Sequence, residues 1–160
     1  MKDILVAGLG NPLMQDEGVG VRVLNALWNE AERFPRVEFE DLGAGGLSLL
    51  HAARRYDTLI VIDCARMGEE PGTLRRFEPD EVSTTKEMSG RSVHEADILQ
   101  VLELARLTED APRQVVVFGI EPETVAFGEG LSPALQEKLD EYVAAVKDEL
   151  PAGPEPPSSG

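Results

Sequence analysis

The chain has 160 residues, thirty of them acidic and fifteen basic, and a formal charge of −15 at pH 7. That length suits one domain with its own core, and the negative surface repels phosphate backbones, which argues against nucleic-acid partners. A single cysteine, Cys64, excludes an internal disulfide and any multi-cysteine zinc motif.

The elements follow in chain order. Residues 4–8, "ILVAG", form a continuous apolar run, as in a strand buried on both faces of a parallel sheet. After a glycine-rich loop, Val23, Leu24, Leu27, Trp28 and Ala31 recur at helical spacing and predict one apolar face. "VEFED", 37–41, alternates like a strand with one face on the core, and "DLGAGG" is a turn leading into a second helix over 47–56. "TLIVID", 58–63, is a second buried strand, and "TLRRFEP" after Pro71-Gly72 reads as a short, antiparallel edge strand. Residues 80–91 carry no periodic signal and read as a mobile loop. Ser92 and Glu95 have capping-box spacing and open a helix that turns Ile98, Val101, Leu102 and Ala105 inward. "QVVVFGIEP", 114–122, is the last buried strand. Ser132-Pro133 starts a final helix with Leu135, Leu139, Tyr142, Val143 and Val146 inward. Residues 1–150 are thus expected to form one domain, with a disordered Pro/Gly/Ser-rich tail over 151–160.

Strands alternating with helices predict a three-layer α/β/α sandwich around a mostly parallel, twisted sheet of about five strands, resembling phosphorylase- and hydrolase-type folds. Apolar runs reach only strand length, well short of the roughly 20 residues that span a bilayer. No basic segment followed by an apolar stretch opens the chain, and no long apolar surface stripe is left over. A cytoplasmic monomer without a membrane partner is expected.

In such a sheet, ligands bind outside the carboxyl ends of the strands. Glu17 lies just past the first strand, Asp63 ends "TLIVID", and His94 lies in the first turn of the "SVHE" helix. Topology alone directs all three to one rim. The first loop is a poor phosphate cradle: Gly8 and Gly10 fit a dinucleotide fingerprint, but its third glycine is replaced by Leu13, and no Gly-Lys-Ser/Thr follows. Asp16 and Glu17 also put negative charge where a phosphate would sit.

Each residue has an ordinary explanation by itself. Asp16 reads as a helix N-cap, Glu17 as an acid offsetting the helix dipole, Asp63 as a turn cap and His94 as a surface group. Together, two carboxylates and an imidazole kept neutral by a helix N-terminus suit an open site for zinc, nickel, cobalt or iron. Cys64 points to the opposite side of its strand from Asp63 and reads as core, and His51 reads as surface.

The stretches "GLGNPLMQDEGVG", "DLGAGG", "LIVIDCARMG" and "SVHEADILQVLELAR", in that order, resemble the hydrogenase maturation proteases. The resemblance runs from about residue 3 to "GIEPE" near residue 120. It implies an endopeptidase that removes a short C-terminal peptide from the large subunit of a nickel–iron hydrogenase after nickel insertion. The metal-contacting positions of the family fall on Glu17, Asp63 and His94, with nickel presented by the substrate and zinc or cadmium able to take its place in vitro. Asp41, Gly43 and Gly45 match a motif taken to bind substrate, although "GAGG" departs from the threonine many relatives carry there. The implied partner is the hydrogenase large-subunit precursor. Two other readings stand beside this one. The same triad could serve a nickel-sensing checkpoint or chaperone that cuts nothing. Peptidyl-tRNA hydrolases also begin with "GLGNP", but Leu13 replaces their next glycine and the acidic charge opposes tRNA.

Overall fold

Three apolar runs build the middle of a five-stranded sheet. The computed structural model describes residues 2–43, 45, 47–78, 107 and 111–153. Strand β1 (Ile4–Gly8) leads through a 3-10 turn (Gln15–Gly18) into helix α1 (Val19–Trp28). Strand β2 (Val37–Asp41), helix α2 (Leu47–Ala53), strand β3 (Thr58–Cys64) and strand β4 (Leu74–Phe77) follow. Strand β5 (Gln114–Ile120) and helices α3 (Pro133–Gln136) and α4 (Leu139–Lys147) complete the order. The helix expected from Ser92, with its capping pair and His94, and the loop expected over 80–91 lie outside the described residues.

The sheet runs β2-β1-β3-β5-β4. Strands β1, β2, β3 and β5 are parallel, and β4 pairs antiparallel with β5 at the edge, as its weak alternation after Pro71-Gly72 predicts. Helices flank the sheet. On one face Ile60 and Ile62 share a core with Leu24 and Leu27 of α1 and Val143 and Val146 of α4. On the other, Leu59 and Val61 join Leu5, Ala7 and Leu49, Ala52 and Ala53 of α2. A central strand covered on both sides gains from apolar residues at every position, which explains the unbroken run in β3. Edge strand β2 buries only Val37 and Phe39 and leaves the alternate residues nearer water.

Three local features differ from the sequence pattern. Trp28 closes α1 half in water at 46% exposure, its ring stacked 6.4 Å from Phe39 rather than sunk in the core. Helix α2 stops at Ala53, short of residue 56. The final helix is broken in two, because Lys138 leaves the helical conformation (φ −101°, ψ 3°) between Gln136 and Leu139. His51 is exposed, as expected. The Gly153 N–H donates to the Arg33 carbonyl (2.9 Å), where the chain continues beyond α4. Among the described residues no helix is long and apolar enough to cross a membrane.

Register sets up the site. Asp41, Gly8, Ile62 and Phe118 lie in one row across the sheet, and Asp63 sits one step beyond it beside Gly119. The row marks the carboxyl rim.

Candidate active site at the carboxyl rim

The loop after β1 is dense with glycine because backbone packs on backbone there. At Gly10 (φ 119°) an added Cβ would stand 2.0 Å from the Glu17 carbonyl oxygen. At Gly18 it would stand 2.5 Å from Pro12 Cα, and at Gly20 2.2 Å from the Ile62 carbonyl oxygen. No side chain fits such gaps. The glycines therefore press the turn bearing Glu17 and the start of α1 onto the ends of β1 and β3. This packing, rather than a ligand phosphate, accounts for the pattern.

Glu17 lies half-buried on that turn. Asp63, the penultimate residue of β3, is buried at 2% exposure. The charges converge on their neighbour Cys64. Burial raises the affinity of its thiol for its proton, and the negative charges of Asp63, Glu17 and Asp16 raise it further. One side chain at the end of β3 thus feels all three carboxylates. Cys64 itself is buried in the core as its parity predicts, and a protonated, inaccessible thiol is no nucleophile. Two of the three expected metal contacts are therefore placed at the rim, and His94 lies outside the described residues. Among the described residues alone, no group of three or more His, Cys, Asp and Glu side chains could hold a metal ion.

Asp41 ends β2, exposed at the same rim. Its Oδ1 accepts the Gly43 N–H at 2.9 Å, which closes a tight Asx turn. The Gly43 carbonyl in turn accepts the Gly10 N–H at 2.7 Å, so the loops leaving β1 and β2 are joined. Gly43 (φ 55°) and Gly45 (φ 85°) adopt left-handed backbone, and no described residue lies within 4 Å of an added Cβ at Gly43. The side chain of Asp41 shapes its own loop, and no described residue covers Gly43.

Two buried carboxylates escaped the sequence reading. Asp16 is not an N-cap. It is fully buried, and its carboxylate accepts four hydrogen bonds: from the Glu123 and Thr124 N–H groups (both 2.9 Å), the Ser132 N–H (2.7 Å) and the Ser132 hydroxyl (2.7 Å). Burial alone would raise its pKa, but these donors, led by the Thr124 and Ser132 N–H groups, outweigh it and hold the group below the usual carboxylate range. Glu121, 6% exposed, accepts the N–H groups of Met67 (2.6 Å) and Glu69 (3.0 Å) and so secures the segment that follows β3. Neither role leaves a local trace, because the donors are separated by 52 to 116 residues from the acids that hold them.

Fold and rim together define a three-layer α/β protein whose strand ends gather the carboxylates Glu17, Asp41 and Asp63. The family model described as "Hydrogenase maturation protease" matches residues 21–149, a span that includes Asp41, Asp63 and His94 and begins just after Glu17. The chain is 36% identical over 138 residues to the hydrogenase expression/formation protein HupD of Thiocapsa roseopersicina, covering 86% of this chain but only 62% of that longer relative. It is 32% identical to the hydrogenase 2 maturation protease of Escherichia coli strain K12, over 91% of each chain. The solved structure of the E. coli hydrogenase maturating endopeptidase HybD superposes with a TM-score of 0.76 at 28% identity, over 97% of this chain and 98% of that one. The chain belongs to the hydrogenase maturation protease family.

Proposed function

We propose that this chain is an endopeptidase that removes the C-terminal peptide from the nickel-loaded large-subunit precursor of a nickel–iron hydrogenase. The observation that carries this reading is the joint placement of Glu17 and Asp63 at the carboxyl rim of a chain that belongs to this family. Nickel arrives as part of the substrate, held by the precursor, and Glu17, Asp63 and His94 engage it from the protease side. Carboxylate oxygens and an imidazole nitrogen suit a borderline divalent ion, and zinc or cadmium fits the same donors. A metal bound there can polarise a peptide carbonyl. Of the two carboxylates, half-buried Glu17 is the more accessible to water and buried Asp63 the less, which supports a carboxylate base at Glu17. Asp41, Gly43 and Gly45 receive the precursor chain beside that site. The family membership favours this protease over a peptidyl-tRNA hydrolase.

The test is incubation with nickel-loaded and nickel-free precursor, read as loss of mass at the precursor's C-terminus. Cleavage of the loaded form alone is the expected result. Glu17→Gln, Asp63→Asn and His94→Ala are each expected to lower the cleavage rate by about a hundredfold or more, the scale of losing a proton-transfer group or metal contact. Tight binding without cleavage assigns the chain to a nickel-sensing checkpoint instead. Full activity in all three variants overturns the site.

A further inference from the structure

We propose that Asp16 is a positioning residue whose task is to fix the backbone turn that presents Glu17. The inference rests on the site assigned to Glu17 above but deepens it, because it concerns a group that touches neither metal nor peptide. Glu17 sits between two supports. On one side its carbonyl lies against Gly10, at a place where not even a methyl group fits. On the other, the preceding residue, Asp16, reaches away from the turn and collects the Glu123, Thr124 and Ser132 N–H groups and the Ser132 hydroxyl.

The main chain repeats the same joint. The Asp16 N–H donates to the Thr124 carbonyl (3.1 Å), the Gln15 N–H to the Gly128 carbonyl (3.0 Å), and the Gly128 N–H to the Leu13 carbonyl (2.7 Å). The segment that leaves β5 is thereby wrapped along residues 13–16. Since β5 and β1 are the two neighbours of β3, this joint ties the turn of Glu17 to the strands on both sides of the one carrying Asp63.

The turn is also held in a conformation it would not choose alone. Gln15 is the only described residue other than glycine with positive φ (50°). Such backbone persists where surroundings over-determine it. An ionised carboxylate accepting from four donors is the strongest such determinant near it, since charge-assisted bonds are about twice as strong as neutral ones. A residue that served the fold in general would not need to sit next to the functional acid, and a cap would not need partners from the far end of the chain.

The experiment is amide hydrogen exchange on the full chain, comparing wild type with Asp16→Asn. Asparagine keeps one acceptor oxygen but turns an amino group toward main-chain N–H donors. The expected result is exchange faster by about tenfold or more at Gln15, Asp16 and Glu17, the scale of a lost charged hydrogen bond, with the Ile60–Ile62 amides of β3 unchanged. In parallel, the affinity for Cd2+ alone, read by calorimetry, falls while the far-ultraviolet spectrum stays native. Uniformly faster exchange across the sheet, or local protection and Cd2+ affinity equal to wild type, overturns the proposal and leaves Asp16 a general stabiliser. Should Asp16→Asn fail to fold, Ser132→Ala decides, because it removes the hydroxyl bond and leaves the main-chain donors in place. It is expected to speed exchange at the same three amides by about two- to fivefold, and no local effect overturns the proposal. Failure of the protease reading would look different. Glu17→Gln would leave cleavage intact while the exchange pattern of Asp16→Asn remained local.

Discussion

Two glycine-rich loops meet at the carboxyl rim, and they use glycine for opposite reasons. In the loop after β1 and the first turn of α1, Gly10, Gly18 and Gly20 are required because backbone lies where a Cβ would be. In the loop after β2, Gly43 has no described residue against it and is set by its left-handed φ. The aspartates divide in the same way. Asp16 is buried with four donors, whereas Asp41 is exposed and accepts the Gly43 N–H of its own turn. One loop is a fixed wedge against the sheet, and the other is a turn set by its own backbone. A run of glycines in a sequence therefore does not by itself tell close packing from turn conformation.

The sharpest way to break this comparison is Gly20→Ala. The new methyl would meet the Ile62 carbonyl, so α1 must move off the end of β3, at a cost of about 3 kcal/mol or more. Urea unfolding followed by fluorescence of the single tryptophan, Trp28, measures it. A cost under about 1 kcal/mol would mean that the loop yields and that the wedge description is wrong.

Gly72 lies between the two extremes, with left-handed φ (91°) and the Ala134 carbonyl 3.2 Å from an added Cβ. Its own carbonyl accepts the Tyr142 hydroxyl at 2.6 Å. Burial, then the charges of Glu141 and Asp16, push the Tyr142 phenol up to about 12. The unfolded chain gives up that proton near 10, so the native state holds it more tightly, and stability falls as pH rises from about 10 toward about 12. Tyr142→Phe should cost about 1 kcal/mol at neutral pH and flatten that alkaline decline. Unfolding midpoints at pH 8 and pH 11 compare the two proteins. A similarly small effect belongs to the loop after β2: Gly43→Ala should cost about 1 kcal/mol, since the penalty is conformational and no described residue is displaced. A larger loss would show that the penalty is not conformational alone.

Much of the scaffold could be read from residue pattern. The unbroken apolar runs of β1, β3 and β5 announce strands covered on both faces, and Pro71-Gly72 with weak alternation marks β4 as an edge. The rim positions of Glu17 and Asp63 follow from where parallel strands end. Features set by distant contacts were harder to see. Trp28 keeps helical spacing with Leu24, yet it falls at the last turn of α1, where Phe39 offers a stacking partner rather than a closed pocket. Asp16 has the local signature of a cap because caps and clamps both place an acid before a helix, and they differ only in where the donors come from. The break at Lys138 has no marker in sequence, since Leu135 and Leu139 keep their inward spacing across it.

The short antiparallel strand β4 has a consequence for handling the protein at high concentration. An open sheet border offers unpaired peptide groups to any passing strand. Among the described residues that border spans four residues and carries two exposed arginines, Arg75 held by Glu69 and Arg76 by Glu149 and Glu78. A neighbouring molecule would have to displace those ion pairs and desolvate both guanidinium groups to extend the sheet. The arginines thus act as a fence, one that high salt would lower by screening the pairs and the net charge that keeps copies apart.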